Sequence, residues 1–196
     1  MNKLAKTKYG MHFLLESRWS PRAFREEAIE KEKLYRILEA ATWAPSSYNE
    51  QPWRFIVGEK GNETYDKILN SLLDGNMLWA KQAPVLMVCM AKKHFSQKET
   101  ENFHFMYDAG QAVAHLSIQA LQDGVYAHQM AGFHFEKLKI HFNIPEEYYI
   151  MTVIALGYLG KPDILDENLK EIEMKDRERK PLSEIVYTEE FGKSWD

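Results

Sequence analysis

Apolar positions along the chain switch repeatedly between a helical period and a strand period. Leu34, Ile37, Leu38, Ala41 and Thr42 recur at i, i+3, i+4, i+7 and i+8. That spacing predicts a helix over 31–43, stopped by Pro45. Met106, Ala109, Val113, Leu116 and Ala120 hold one face of a longer helix expected over 99–123, with Gly124 as its C-terminal cap. Shorter helices are expected over 63–73, broken by Asp74–Gly75–Asn76, and over 133–142, ended by Ile144–Pro145. Residues 10–17 form a short amphipathic segment that ends before Pro21. Trp53–Val57 alternates like a strand closed by Gly58. Pro84–Ala91 and Ile150–Leu159 are continuous apolar runs, as strands buried on both faces require, and Val125–Met130 is a shorter strand. Strands alternating with helices argue for an α+β or mixed α/β domain with a sheet between helices. Residues 163–196 are charged but carry Ile185, Val186, Tyr187, Phe191 and Trp195, so they are expected to dock rather than hang free.

Composition narrows the function classes. The chain has 196 residues, 45% of them hydrophobic and 28% charged, which suits one globular domain over 1–196. Twenty-nine acidic against 25 basic residues give a net charge of −4. No basic field is present to hold a nucleic-acid backbone. The single cysteine, Cys89, lies inside an apolar run and reads as a buried small hydrophobe; it excludes a disulfide framework and a cysteine-rich metal site. No apolar run approaches the length of a membrane span, and the N-terminus lacks a signal-peptide pattern, so a cytoplasmic protein is expected.

Two stretches are dense in groups that recognise small molecules. Arg18–Trp19–Ser20–Pro21–Arg22 places two guanidiniums and a hydroxyl within five residues, a set able to hold a phosphate and equally compatible with a solvated basic turn. Pro45–Ser46–Ser47–Tyr48–Asn49–Glu50–Gln51–Pro52 is framed by prolines and lies between a helix and a strand. Its amides and hydroxyls can read the edge of a flat heteroaromatic ring. The histidines, among them His104, His115, His128, His134 and His141, show no metal-ligand spacing, and none of the glycine-rich phosphate loops or the hydrolase nucleophile motif occurs. No metal site and no indispensable acid or base are expected.

Together these stretches resemble a known family. Ser17–Arg18–Trp19–Ser20–Pro21–Arg22–Ala23–Phe24, followed by Ala44–Pro45–Ser46–Ser47–Tyr48–Asn49–Glu50–Gln51–Pro52–Trp53, looks like the FMN-dependent nitroreductase family. The likeness continues through Gly75–Pro84, Asp108–Ala112, Met130–Phe133 and Ala155–Tyr158, and ends in the basic stretch Arg177–Glu178–Arg179–Lys180–Pro181–Leu182. Trp19 departs from it, standing where a basic residue is common.

The resemblance implies an α+β fold with a central, mostly antiparallel sheet flanked by helices, and a C-terminal arm, 163–196, wrapping a partner subunit. It implies a homodimer that binds FMN in clefts at the interface and takes a hydride from NADH or NADPH for a nitroaromatic, quinone or similar flat acceptor. Arg18, Trp19, Ser20, Arg177 and Arg179 would then lie at the FMN phosphate. Arg22 would approach the pyrimidine side of the ring and Asn76 its edge. Pro45, Ser46, Ser47 and Asn49 would reach the flavin from the other subunit. Gln129, Met130, Ala131 and Gly132 would lie near its reactive side, where glycine permits close backbone approach. Another flavoenzyme of the same fold, a dehydrogenase or a flavin-cleaving enzyme, and a non-catalytic flavin binder are the alternatives.

Overall fold

A computed structural model of the chain describes residues 3–98 and 100–195. Its centre is a four-stranded sheet of β1 (Trp53–Glu59), β2 (Val85–Lys92), β3 (Val125–Met130) and β4 (Tyr148–Tyr158). The spatial order is β1-β2-β4-β3, and every pair is antiparallel. Trp53 faces Ala91, Val85 faces Leu156 and Val125 faces Tyr158, with one irregularity between Cys89 and Met90. The two central strands are those whose apolar runs are continuous, as burial on both faces demands. Burial pushes the Cys89 thiol up to about 12, which leaves it an unreactive packing residue.

Each face of the sheet carries its own core. On one, α2 (Lys31–Thr42) and α5 (Phe105–Gln122) pack Leu34, Ile37, Ala112 and Leu116 against Met87, Cys89, Ile154 and Leu156. On the other, α3 (Glu63–Leu69), α4 (Asp74–Ala80) and α6 (Phe135–Phe142) pack Tyr65, Ile68, Trp79 and Leu138 against Leu86, Val88, Val153 and Ala155. Phe24 bridges to Leu159 and joins this second core, which pins to the sheet the arginine-rich stretch that follows α1 (Phe13–Ser17). No described helix is long and apolar enough to cross a membrane.

Three features differ most from expectation. The helix expected over 63–73 stops at Leu69, and Asp74–Gly75–Asn76 opens α4 instead of breaking a helix. These residues occupy the first turn, where an acidic side chain favours the helix dipole and weak helix formers cost little. The long helix begins at Phe105 rather than near 99. Asn102 folds back onto Lys93 through its N–H at 2.8 Å, and its Oδ1 accepts the His104 N–H at 3.0 Å, so the chain turns before it can coil. Glu99, the expected start, lies outside the described residues. Finally, the charged tail contains a helix the hydropathy pattern did not announce, α7 (Glu167–Met174), capped where Asp166 accepts the Leu169 N–H at 2.8 Å. Beyond α7 the chain is largely exposed, and Tyr187 pairs only locally with Ser194.

Gly58 shows how tightly α3 lies on β1. A Cβ there would stand 2.5 Å from the backbone nitrogen of Tyr65, which cannot move without displacing α3. Gly58→Ala is therefore expected to cost about 1–3 kcal/mol. Urea unfolding should show a lower midpoint at unchanged slope; an unchanged midpoint would contradict the close approach.

Candidate functional site

The two basic stretches, over 150 residues apart in sequence, line one cleft of roughly 240 Å³. Arg18, Trp19, Ser20 and Arg22 form one wall; Ile172, Glu173, Lys175, Asp176, Arg177 and Arg179 form the other, and Lys3 closes it. Backbone bonds hold the walls together. Arg177 donates from Nη1 to the carbonyls of Lys3 at 2.8 Å and Glu16 at 2.6 Å. Lys3 donates to the carbonyls of Glu173 and Lys175 and lies 4.7 Å above the Trp19 ring. Lys6 pairs with Asp176 at 2.7 Å.

Positive charge dominates this cleft. Partial burial, followed by the charges of Arg177 and Arg179, lowers the proton affinity of Arg18. Burial and Arg179 do the same to Arg177. Crowded, partly desolvated cations of one sign repel one another and lose hydration. Of the two lining carboxylates, Asp176 is paired with Lys6, and Glu173, 1% exposed, accepts backbone N–H groups.

His128 on β3 ties the cleft to the second layer of helices. Its Nδ1–H donates to the Pro21 carbonyl at 2.8 Å, and Trp79 of α4 lies 4.4 Å from its ring. Burial, the largest cause, holds its pKa down to about 4, so at neutral pH it is an uncharged strut. Beyond β3, Gly132 accepts both the Leu73 N–H and the Asn76 Nδ2–H at 3.0 Å. A Cβ on Gly132 would stand 2.7 Å from that Nδ2, so glycine is what lets Asn76 seat here. Gln129 and Ala131 are exposed, whereas the Met130 side chain is in the core, leaving only its backbone to a ligand.

The Pro45–Gln51 loop does not line this cleft. It leaves α2 on the other face of the sheet and is rigid in its own right. Tyr48, Asn49 and Gln51 all adopt positive φ, 52°, 57° and 50°. Buried Asp108 accepts the Ser47 N–H at 3.1 Å, and Ser46 Oγ accepts the Gln51 N–H at 3.0 Å. Such strain persists only where surrounding bonds impose it.

The comparisons agree with this architecture. A family model described as "Nitroreductase family" matches residues 15–77 and 66–158. The chain belongs to the nitroreductase family. A solved structure described as an oxidoreductase containing FMN superposes with a TM-score of 0.92 at 34% identity, covering 97% of each chain. A 15.4 kDa protein of Mycolicibacterium smegmatis is 32% identical over 71% of this chain and 97% of its own. A relative from Archaeoglobus fulgidus, named as an NADH dehydrogenase/NAD(P)H nitroreductase, is 29% identical over 74% of this chain and 83% of its own. The fold is accordingly nitroreductase-like, α+β with an antiparallel sheet.

The matched family region runs from residue 15 to Tyr158, so seven of the eleven residues lining the cleft lie outside it. Lys3, Glu173 and Asp108 escaped sequence reasoning as site-forming residues. Lys3 and Glu173 sit in charged stretches without a motif, and Asp108 was noted only within a family stretch. A lone acidic residue in an otherwise apolar helical stripe was the available signal for Asp108.

The His128 strut makes stability pH-dependent in a defined window. Its folded pKa lies below the ordinary value of 6.5, so its contribution is complete above 6.5 and is lost as pH falls toward 4. The full loss is about 3 kcal/mol. Urea unfolding of the wild type and His128→Gln should show their stability gap narrowing between pH 7 and pH 4.5; a constant gap would exclude a neutral buried imidazole.

Proposed function

We propose that this nitroreductase-family chain is an FMN-dependent NAD(P)H oxidoreductase, active as a homodimer. The observation that carries the reading is the convergence of Arg18, Arg22, Arg177, Arg179 and Lys3 on one cleft whose carboxylates are already engaged. That donor set fits a terminal phosphate dianion. The chain has no glycine-rich loop for a second nucleotide half, which favours FMN over FAD. FMN would supply the redox chemistry there, carrying a hydride by a ping-pong mechanism from NADH or NADPH to a nitroaromatic, quinone or similar flat electron-poor acceptor.

The chain's own residues bind, orient and stabilise. Arg18, Ser20, Arg177 and Arg179 hold the phosphate, with Trp19 as the apolar wall beneath Lys3. Arg22 would supply positive charge to the flavin ring, stabilising its reduced form. Asn76, which is seated against Gly132, and the 129–132 segment would hold the flavin ring. Pro45, Ser46, Ser47 and Asn49 would reach the ring from the partner subunit, a role that suits a rigid loop placed away from its own chain's cleft. Exposed Phe13, Trp43, Phe103, Phe191 and Trp195 support a large subunit interface, with the 163–196 arm wrapping the partner. No side chain acts as an indispensable acid or base: His128 is neutral and bonded to Pro21, and solvent protonates the reduced acceptor.

The purified protein should be yellow, release FMN on heating and bleach anaerobically with NADH or NADPH. Recovery of FAD alone, or a flavin that neither nucleotide bleaches, would overturn the assignment. Arg18→Ala should weaken FMN binding about ten- to a hundredfold, the loss of one charge-assisted contact. At saturating FMN its reduction rate should match wild type, because the substitution lies at the phosphate. A rate that saturating FMN does not restore would remove Arg18 from that role.

A further inference from the structure

The cleft contains one group that the proposed chemistry leaves unused. Glu173, on the last turn of α7, is buried to 1% exposure within a wall of cations. Its carboxylate accepts the Arg22 N–H at 2.9 and 3.1 Å and the Ala23 N–H at 3.2 Å. Its Oε2 also lies 4.0 Å from Arg22 Nη1. A buried carboxylate costs heavily unless its oxygens are bonded, and here both are turned onto the backbone of one residue and its neighbour.

Arg22 needs such a partner. Arg18, Arg177, Arg179 and Lys3 share its cleft, and their repulsion favours an Arg22 side chain swung out to water. Glu173 opposes that swing in two ways. It fixes the backbone from which Arg22 projects, and it supplies a buried negative charge 4.0 Å from the guanidinium. The Arg22 side chain is accordingly only 28% exposed.

We propose that Glu173 is a positioning residue that aims Arg22 into the cleft, making the C-terminal helix, which lies outside the matched family region, an integral part of the cofactor site. The inference rests on the FMN reading given above. It differs from a packing role for Glu173, because it assigns the effect to one side chain across the cleft.

The test is a double-mutant cycle read by FMN affinity, using fluorescence quenching on apoprotein well below its unfolding temperature. Glu173→Gln keeps the shape and one acceptor oxygen but removes the charge. It should weaken FMN binding about tenfold in the wild-type background and less than threefold in Arg22→Ala, because the residue it acts through is gone. Ile68→Ala, a core truncation on α3, is the stability control: at matched loss of melting temperature it should leave FMN affinity within twofold. An equal Glu173→Gln effect in both backgrounds, or an affinity loss that Ile68→Ala reproduces, would overturn the positioning role. Failure of the wild type itself to bind FMN would instead strike the flavoprotein reading, so the two failures are told apart.

Discussion

Mutual repulsion among the cations of one cleft is the constraint on which the site depends. Arg18, Arg22, Arg177, Arg179 and Lys3 come from three stretches of chain that separate on unfolding. Nothing in their charges draws them together, and the proton affinities of Arg18 and Arg177 fall because they are partly dry and, secondarily, crowded by like charge. What gathers them is hydrogen bonding to the backbone: Arg177 and Lys3 donate to backbone carbonyls, and His128 donates to Pro21. Glu173 supplies the buried negative charge in that wall. The two cores on the faces of the sheet supply the folding free energy that this arrangement consumes.

The same principle organises the Pro45–Gln51 loop. Three non-glycine residues at positive φ are held by Asp108 and Ser46, so the loop keeps its shape without a ligand. A preformed loop and a preformed cationic cleft reduce the ordering cost of binding a rigid, planar molecule. Flavin sites profit from this because the protein's contribution is position and electrostatics.

Much of this was legible in the residues. The central strands β2 and β4 announced themselves as unbroken apolar runs, and α2 as a clean helical stripe, because burial on two faces or one leaves those periods. The arginine-rich stretch and the proline-framed loop were legible as chemistry. Their separation in space was not, since it depends on which strand edge each one meets. The start of α4 was misread because Asp-Gly-Asn breaks a helix interior yet is tolerated in a first turn. Helix α7 left too faint an apolar stripe to be seen, its one fully buried side chain being a carboxylate. Glu173 and Lys3 acquire meaning only when the ends of the chain meet, and no local pattern encodes that meeting.

The central claim is that the converged cations form a phosphate site. Titrating apoprotein with FMN and with riboflavin, which lacks only the phosphate, measures that directly. The account predicts that FMN binds at least a hundredfold more tightly, and that the difference shrinks steadily as salt rises from 50 mM to 1 M, about the range over which screening becomes severe. Equal affinities for the two flavins, or a preference indifferent to salt, would contradict it.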